Sequence, residues 1–314
     1  MVQQVAKGIT LYSGLLSLGE AFPLIKKYDL FGAGRKIRGN LMRFDVLMNA
    51  VILKHEEEKK LGGVRATKDA MDNLLEYSEY RNQTSAEVKL AKKGIKGLFL
   101  DLFIRGTDTT SVALEWALAE LINHPNTMKM LQNEIDSVVG STRLVQESDI
   151  PSLPYLNAVV KETLRLHLSL PLVFRKCRED CMISGYNISK NSRVVVSIYA
   201  INRDPDVWEN AIEFIPERFL GNTLNPVDHE DKPDDLKDQN FDYVPFGGGR
   251  RGCPGAALAT AVLHITLATL VQGFDWKIEG KVNIEEGVGL SAAMSHPLVC
   301  YPILRMDPSI LLSK

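Results

Sequence analysis

The sequence predicts a mainly α fold with a small β portion, and three observations carry that expectation. Through the first half of the chain, apolar side chains recur every three to four residues, the period of one helix face. After Pro171 the texture changes to short runs rich in Val, Ile and Tyr, bounded by Gly and polar residues, as strands are. Near the end, Ala256 to Gln272 is an apolar stretch of helical length that carries His264 and three threonines, the pattern of a buried helix rather than a membrane span.

Composition narrows the classes of function. The chain has 314 residues, 45% of them hydrophobic, enough to bury a large core. The net charge is −2 with both signs interspersed, so no nucleic-acid footprint is expected. Four cysteines, Cys177, Cys181, Cys253 and Cys300, are too few and scattered for a secreted disulfide framework, and a reducing compartment fits them better. There is no CxxC pair. His55 to Lys59 starts like a zinc-protease helix but places Lys where the second His must be, so no protein-liganded zinc site is expected. The N-terminus shows no uninterrupted apolar run of about 18 to 20 residues and no signal-peptide order.

Taken in order, residues 1 to 34 are broken by Pro23 and the glycines of Phe31 to Gly34 into short helical pieces. Ile37, Leu41, Phe44, Met48 and Val51 then make one helix stripe, ended by the charged run His55 to Lys60. A second helical piece covers about Asp69 to Tyr77. Thr84 and Glu87 form a capping box opening the longest periodic segment, with Leu98, Leu102, Thr109, Val112 and Trp116 as its apolar stripe. A helix from there to His124 would run roughly 60 Å, a spine through the domain.

Pro125 starts another helix, which Gly140 is placed to end, and Pro151 and Pro154 introduce one from about Tyr155 to His167. Short strands follow at Gly185 to Ile188 and Arg193 to Ile198, then an acidic, proline-containing stretch, 221 to 240, that reads as a surface loop. Short strands near 273–278 and 297–304 close the chain. No repeat or linker divides it.

The most informative stretch is Phe246 to Gly255, FGGGRRGCPG. Five glycines allow positive φ and close approach to a flat ligand. Cys253 precedes the apolar helix, so its sulfur lies near the positive end of a helix dipole. Arg250 and Arg251 add positive charge, for a thiolate or for carboxylates on a ligand. One rival reading is an inert thiol after a tight turn. Another is the dinucleotide fingerprint GxGxxG through Gly247, Gly249 and Gly252, with Asp275 as ribose ligand. Against it, Pro245 interrupts the strand that should lead in, and too little chain follows for a βαβαβ sheet.

The stretch resembles the cytochrome P450 signature F-x-x-G-x-R-x-C-x-G through Phe246, Gly249, Arg251, Cys253 and Gly255. The resemblance implies the P450 fold over residues 1–314 as one domain, with haem b as cofactor, Cys253 as the iron's thiolate ligand and Arg251 on a haem propionate. Glu162 and Arg165 share a helix face. Taken alone they are a surface ion pair of little worth, but with Arg218 of Pro216-Glu217-Arg218-Phe219 they resemble the family's buried structural triad. Arg175 is either a basic residue starting a strand or the arginine that reaches the other propionate. Gly106-Thr107-Asp108-Thr109-Thr110 resembles the family's oxygen-activation motif, in which Gly106 makes room for dioxygen while Asp108 and Thr109 help deliver protons.

Two departures accompany the match. Arg105 stands where the family has Ala or Gly, and periodicity puts it on the buried stripe, where an unpaired guanidinium costs several kcal/mol. It either meets a carboxylate, a propionate or an anionic substrate, or obstructs the oxygen site, and impaired turnover is the expectation. The chain also begins where the family is already under way, so the membrane anchor, the first strands and the W-x-x-x-R helix are expected to be missing. The resemblance implies a plant microsomal monooxygenase acting on an apolar specialised metabolite, flavonoid- or terpenoid-like. Its partners would be O2 and NADPH-cytochrome P450 reductase, its place the endoplasmic reticulum membrane. The alternative is a non-catalytic remnant that binds haem poorly; a dinucleotide-binding dehydrogenase is the more distant one.

Overall fold

The computed structural model of the chain describes residues 32–60, 68–84, 92–221, 241–287 and 291–312. The helical pieces expected before Gly32, Glu87 of the capping box, and nearly all of the acidic stretch 221–240 lie outside these residues. Contacts divide the chain into two compact units, Met1–Asp108 and Thr109–Lys314.

The described residues of the first unit are nearly all helical. It contains α1 (Ala33–Lys60), α2 (Ala70–Thr84) and the leading part of α3 (Lys92–Asn123). Phe44, Met48 and Ile52 of α1 meet Met71 and Leu75 of α2 and Ile95 of α3, with Phe99 and Phe103 against them. On α1 the buried seam is thus i, i+4, i+8 from Phe44, and Leu41, expected inside, is exposed. The stripe expected on α3 shifts similarly. Leu98 and Leu102 are exposed, and Ile95, Phe99 and Phe103, one residue later in phase, face the core. Thr84 ends α2 instead of opening α3, so the spine helix spans 32 residues, roughly 48 Å, and not the longer run expected.

The second unit holds the rest of α3 and then α4 (Pro125–Val138), a 3-10 turn (Glu147–Ser152) and α5 (Pro154–Leu166). Both α4 and α5 start on a proline, whose fixed φ and missing N–H suit a first helical turn. Gly140, at φ +78°, follows the end of α4 in the left-handed conformation that terminates helices. The long apolar helix is α7 (Ala256–Gly273), and it packs on α4 and α5. By length and composition it could cross a membrane. Here Leu263, Leu267, Ala268 and Val271 enter the main core with Leu131, Ile135, Leu156 and Val159. Near its end, the buried Gln272 amide bonds the carbonyls of Gly140 and Arg143 and the N–H of Val145.

The described strands form three two-stranded antiparallel sheets. β1 (Leu172–Lys176) pairs with β4 (Arg193–Ser197), β2 (Cys181–Ile183) with β3 (Tyr186–Ile188), and β5 (Phe274–Lys277) with β6 (Tyr301–Leu304). Two short helices, α6 (Ile198–Ile201) and α8 (Pro308–Leu312), and a 3-10 turn at Pro216–Phe219 complete the unit.

Candidate functional site

Two tight turns and one cross-link shape the loop before α7. Gly247 N–H donates to the Val244 carbonyl at 2.9 Å with Gly247 at φ +74°, and Gly252 N–H donates to the Gly249 carbonyl at 2.9 Å with Gly249 at φ +81°. Both positive φ values favour glycine. Cys253 N–H then donates to the Phe246 carbonyl at 2.9 Å, so Phe246 and Cys253 lie side by side at the base of the loop. A side chain at Gly252 would press its Cβ to 3.3 Å from the Gly249 oxygen. Cys253 is exposed, and among the described residues nothing hydrogen-bonds its sulfur. Gly255 is in contact range of that sulfur, since a Cβ there would stand 3.9 Å from Sγ. The 18-residue α7 begins at the next residue with no side-chain cap, which leaves first-turn N–H groups and the positive dipole end beside the thiol. Arg250 and Arg251 are exposed in the preceding turn.

Behind the loop, Tyr243 donates its hydroxyl to the Lys161 carbonyl on α5 at 3.1 Å and packs with Trp208, Phe219 and Ala158. Burial drives its phenol far above the ordinary tyrosine range, so it stays a neutral donor. The same turn of α5 carries Glu162 and Arg165, both with fully buried side chains. Arg165 uses all five N–H donors. Nε and Nη2 grip the two Glu162 oxygens at 2.8 Å each, Nη1 reaches the carbonyls of Asn202 and Ala211 at 2.7 Å each, and Nη2 reaches that of Glu213 at 3.1 Å. Glu162 also accepts Ile215 N–H at 2.8 Å and Arg218 Nε at 3.1 Å. A buried charge is tolerated only when paired and fully hydrogen-bonded, and both residues meet that condition.

The other expected residues lie on α3 and β1. Gly106, Asp108 and Thr109 follow one another along α3. Apart from the surrounding turns of its own helix, no described atom stands within 4 Å of a Cβ built on Gly106, and the Thr109 carbonyl accepts the Ser169 hydroxyl at 2.7 Å. Arg105 corrects the expectation of a buried guanidinium: its side chain is 80% exposed, with Nε 3.8 Å from Asp101, one helical turn back. The stripe through Leu98 and Leu102 that implied its burial is itself exposed, so the desolvation cost falls away. Arg175 sits exposed on β1, paired with Val194, and its guanidinium returns to the Phe174 carbonyl at 3.0 Å.

The dinucleotide reading fails on geometry. Among the described residues no strand leads into the loop, every sheet is antiparallel, and Asp275 accepts from Gln132 at 2.9 Å beside Arg305 at 3.4 Å.

Comparison with known proteins decides among what remains. The family model described as "Cytochrome P450" matches residues 1–299. The chain belongs to the cytochrome P450 family. Among curated plant P450s it is 41% identical over 314 residues to 3,9-dihydroxypterocarpan 6A-monooxygenase of Glycine max, covering 98% of this chain and 60% of that protein. It is 39% identical over 323 residues to 2-hydroxyisoflavanone synthase of Glycyrrhiza uralensis, covering 97% and 60%. The chain thus spans about three fifths of the length of these relatives. A zebrafish cytochrome P450 solved with progesterone superposes with a TM-score of 0.77 at 24% identity, covering 96% of this chain and 64% of that one, and so shares the mainly α fold.

The P450 cofactor is haem with its iron on a cysteine thiolate. The residues present fit it: a lone exposed thiol at a helix start, beside a residue with no side chain, with two guanidinium groups in the preceding turn.

Several residues escaped sequence reasoning. Glu120, buried on α3, meets His167 Nε2 at 2.6 Å and His124 Nδ1 at 3.2 Å. Trp116 stacks on His167 and donates Nε1–H to the Ala292 carbonyl at 2.8 Å. Spacing could have offered Glu120, one turn beyond Trp116; nothing in the sequence marks Ser169. In the first unit, His55 Nδ1 lies 2.7 Å from Asp72, which forms a reciprocal cap with Asp69 at the start of α2.

Proposed function

We propose that the protein works as a haem-thiolate monooxygenase, residues 1–314 belonging to a single P450 domain, and that its substrate is an apolar, flavonoid- or terpenoid-like metabolite. The exposed Cys253 thiol at the loop–helix junction, on a loop whose lead-in is anchored to the triad helix, carries this reading. Cys253 is the iron ligand, with Phe246, Gly249 and Gly255 shaping the loop around it. Arg251 and Arg175 hold the two propionates. The bound cofactor supplies oxygen activation, which thiolate electron donation favours. Gly106 leaves space on α3, and Asp108 and Thr109 move protons there. Glu162, Arg165 and Arg218 hold the chain behind the loop and touch no substrate. Electrons come from NADPH-cytochrome P450 reductase at the endoplasmic reticulum membrane. The pterocarpan and isoflavanone enzymes among the relatives support a flavonoid-type substrate.

The test is spectroscopic. The chain expressed with haem, reduced and exposed to carbon monoxide, should give the Soret band of a thiolate-ligated carbonyl complex, and Cys253→Ser should lose it. No haem uptake, or a band that survives Cys253→Ser, overturns the assignment. A panel of flavanones and triterpenes, titrated while following the Soret band, then separates the substrate classes.

A further inference from the structure

Cys177 and Cys181 flank a short turn between β1 and β2, and their sulfurs stand 3.5 Å apart. Both ends of the turn are held by the backbone. Cys177 donates its N–H to Ser192 O and accepts from Asn191 N, each at 2.9 Å, while Cys181 opens β2 opposite Ile188. Between them, the Asp180 carboxylate accepts Lys190 N–H at 2.6 Å. The sulfurs are therefore neighbours because the sheet ends are fixed. A disulfide needs sulfurs about 2.05 Å apart, so they must close by about 1.5 Å, within reach of side-chain rotation at this surface.

We propose that Cys177 and Cys181 are a dithiol modification site which a low-molecular-weight disulfide, such as oxidised glutathione, converts to an intramolecular disulfide. One protein thiolate attacks a sulfur of the oxidant and expels a glutathione thiolate, leaving a mixed disulfide. The second thiolate attacks the protein-bound sulfur and expels the other glutathione. Two protons pass from the protein thiols to the two glutathione thiolates, and two electrons pass from the dithiol to the oxidant. Cys177 donates its S–H to the Glu179 carbonyl at 2.9 Å. The Cys181 thiol is pushed up by its hydrogen bond with Cys177 first, then by local desolvation and the charges of Cys177, Glu179 and Asp180. The closed ring clamps the chain just after β1, two residues from Arg175. This inference does not depend on the haem reading.

Peptide mapping tests it on the full chain. After treatment with oxidised glutathione and alkylation of remaining thiols, trypsin cuts after Lys176, Arg178 and Lys190. Peptides 177–178 and 179–190 should appear joined, two hydrogens lighter than their sum, and separate with dithiothreitol. Cys177→Ser, at a half-buried position, and Cys181→Ser, at an exposed one, should each abolish the joined pair and carry one glutathione on the remaining thiol. Three results overturn the proposal: glutathione on both cysteines of the wild type, a bond from either to Cys253 or Cys300, or free Cys177 and Cys181 at an oxidant concentration that modifies the single-cysteine variants.

Discussion

The imidazole of His167 lies flat on the indole of Trp116, ring centroids 4.0 Å apart and planes 6° from parallel. The same ring meets the buried Glu120 carboxylate through Nε2 at 2.6 Å, so one side chain at the end of α5 is held by stacking and by a charge-assisted hydrogen bond. His167→Leu should lower the unfolding free energy by about 3 kcal/mol, because it strips Glu120 of its shortest partner in a place water does not reach. His167→Leu combined with Glu120→Leu should cost less than the two separate losses added. Urea titration of all three variants measures the coupling.

Arg165 allows a sharper test. Lysine keeps the charge but offers three donors in place of five and no planar fork. Arg165→Lys should therefore destabilise the protein by about 3–5 kcal/mol, the range for breaking a buried pair. Arg218→Lys should cost less, about 2 kcal/mol, since Arg218 gives Glu162 a single bond at 3.1 Å and its other bonds go to the carbonyls of Glu209 and Asn210. Equal losses at the two positions would contradict the ranking.

His264 links stability to pH. It is buried on α7, donates Nδ1–H to the Thr260 carbonyl at 2.7 Å, and burial holds its pKa below 6.5. A histidine whose folded value is depressed takes up more protons unfolded than folded, so stability rises with pH between the folded value and about 6.5. Acidification from pH 7 should destabilise the wild type, and His264→Phe should flatten that slope. Thermal melts of both proteins from pH 7 to pH 5 supply the comparison.

Two glycines separate the loop's shape from the sulfur's surroundings. Gly249 has room for a side chain but sits at φ +81°, so Gly249→Ala should cost about 1–2 kcal/mol through the backbone alone. Gly255 has φ −96°, so Gly255→Ala should leave the fold intact while setting a methyl group 3.9 Å from Cys253 Sγ. Melting temperature should respond to the first change and the ligand spectrum to the second.

Prolines, the loop glycines and the Glu162–Arg165 spacing made α4, α5, α7 and the cysteine loop readable from sequence, because each reflects a local backbone constraint. The phase of α3 was readable in its later part, where Val112 and Trp116 are buried as expected, but not in its leading part. Leu98 and Leu102 form as regular a stripe as Ile95, Phe99 and Phe103, and only the helices packed against it choose between them. Arg105 followed the wrong stripe for that reason. Glu120 and His167 meet through tertiary placement, and the carbonyls of Asn202, Ala211 and Glu213 carry no side-chain signal that an arginine would collect them.

Those three carbonyls, with that of Glu209 on Arg218 Nη1 at 2.9 Å, belong to a stretch with little helix and no strand. Besides its own local turns, this stretch is held by guanidinium groups, one of which projects from α5. The path of residues 202–218 therefore depends on those two side chains, and removing either guanidinium should loosen that coil while leaving α5 helical.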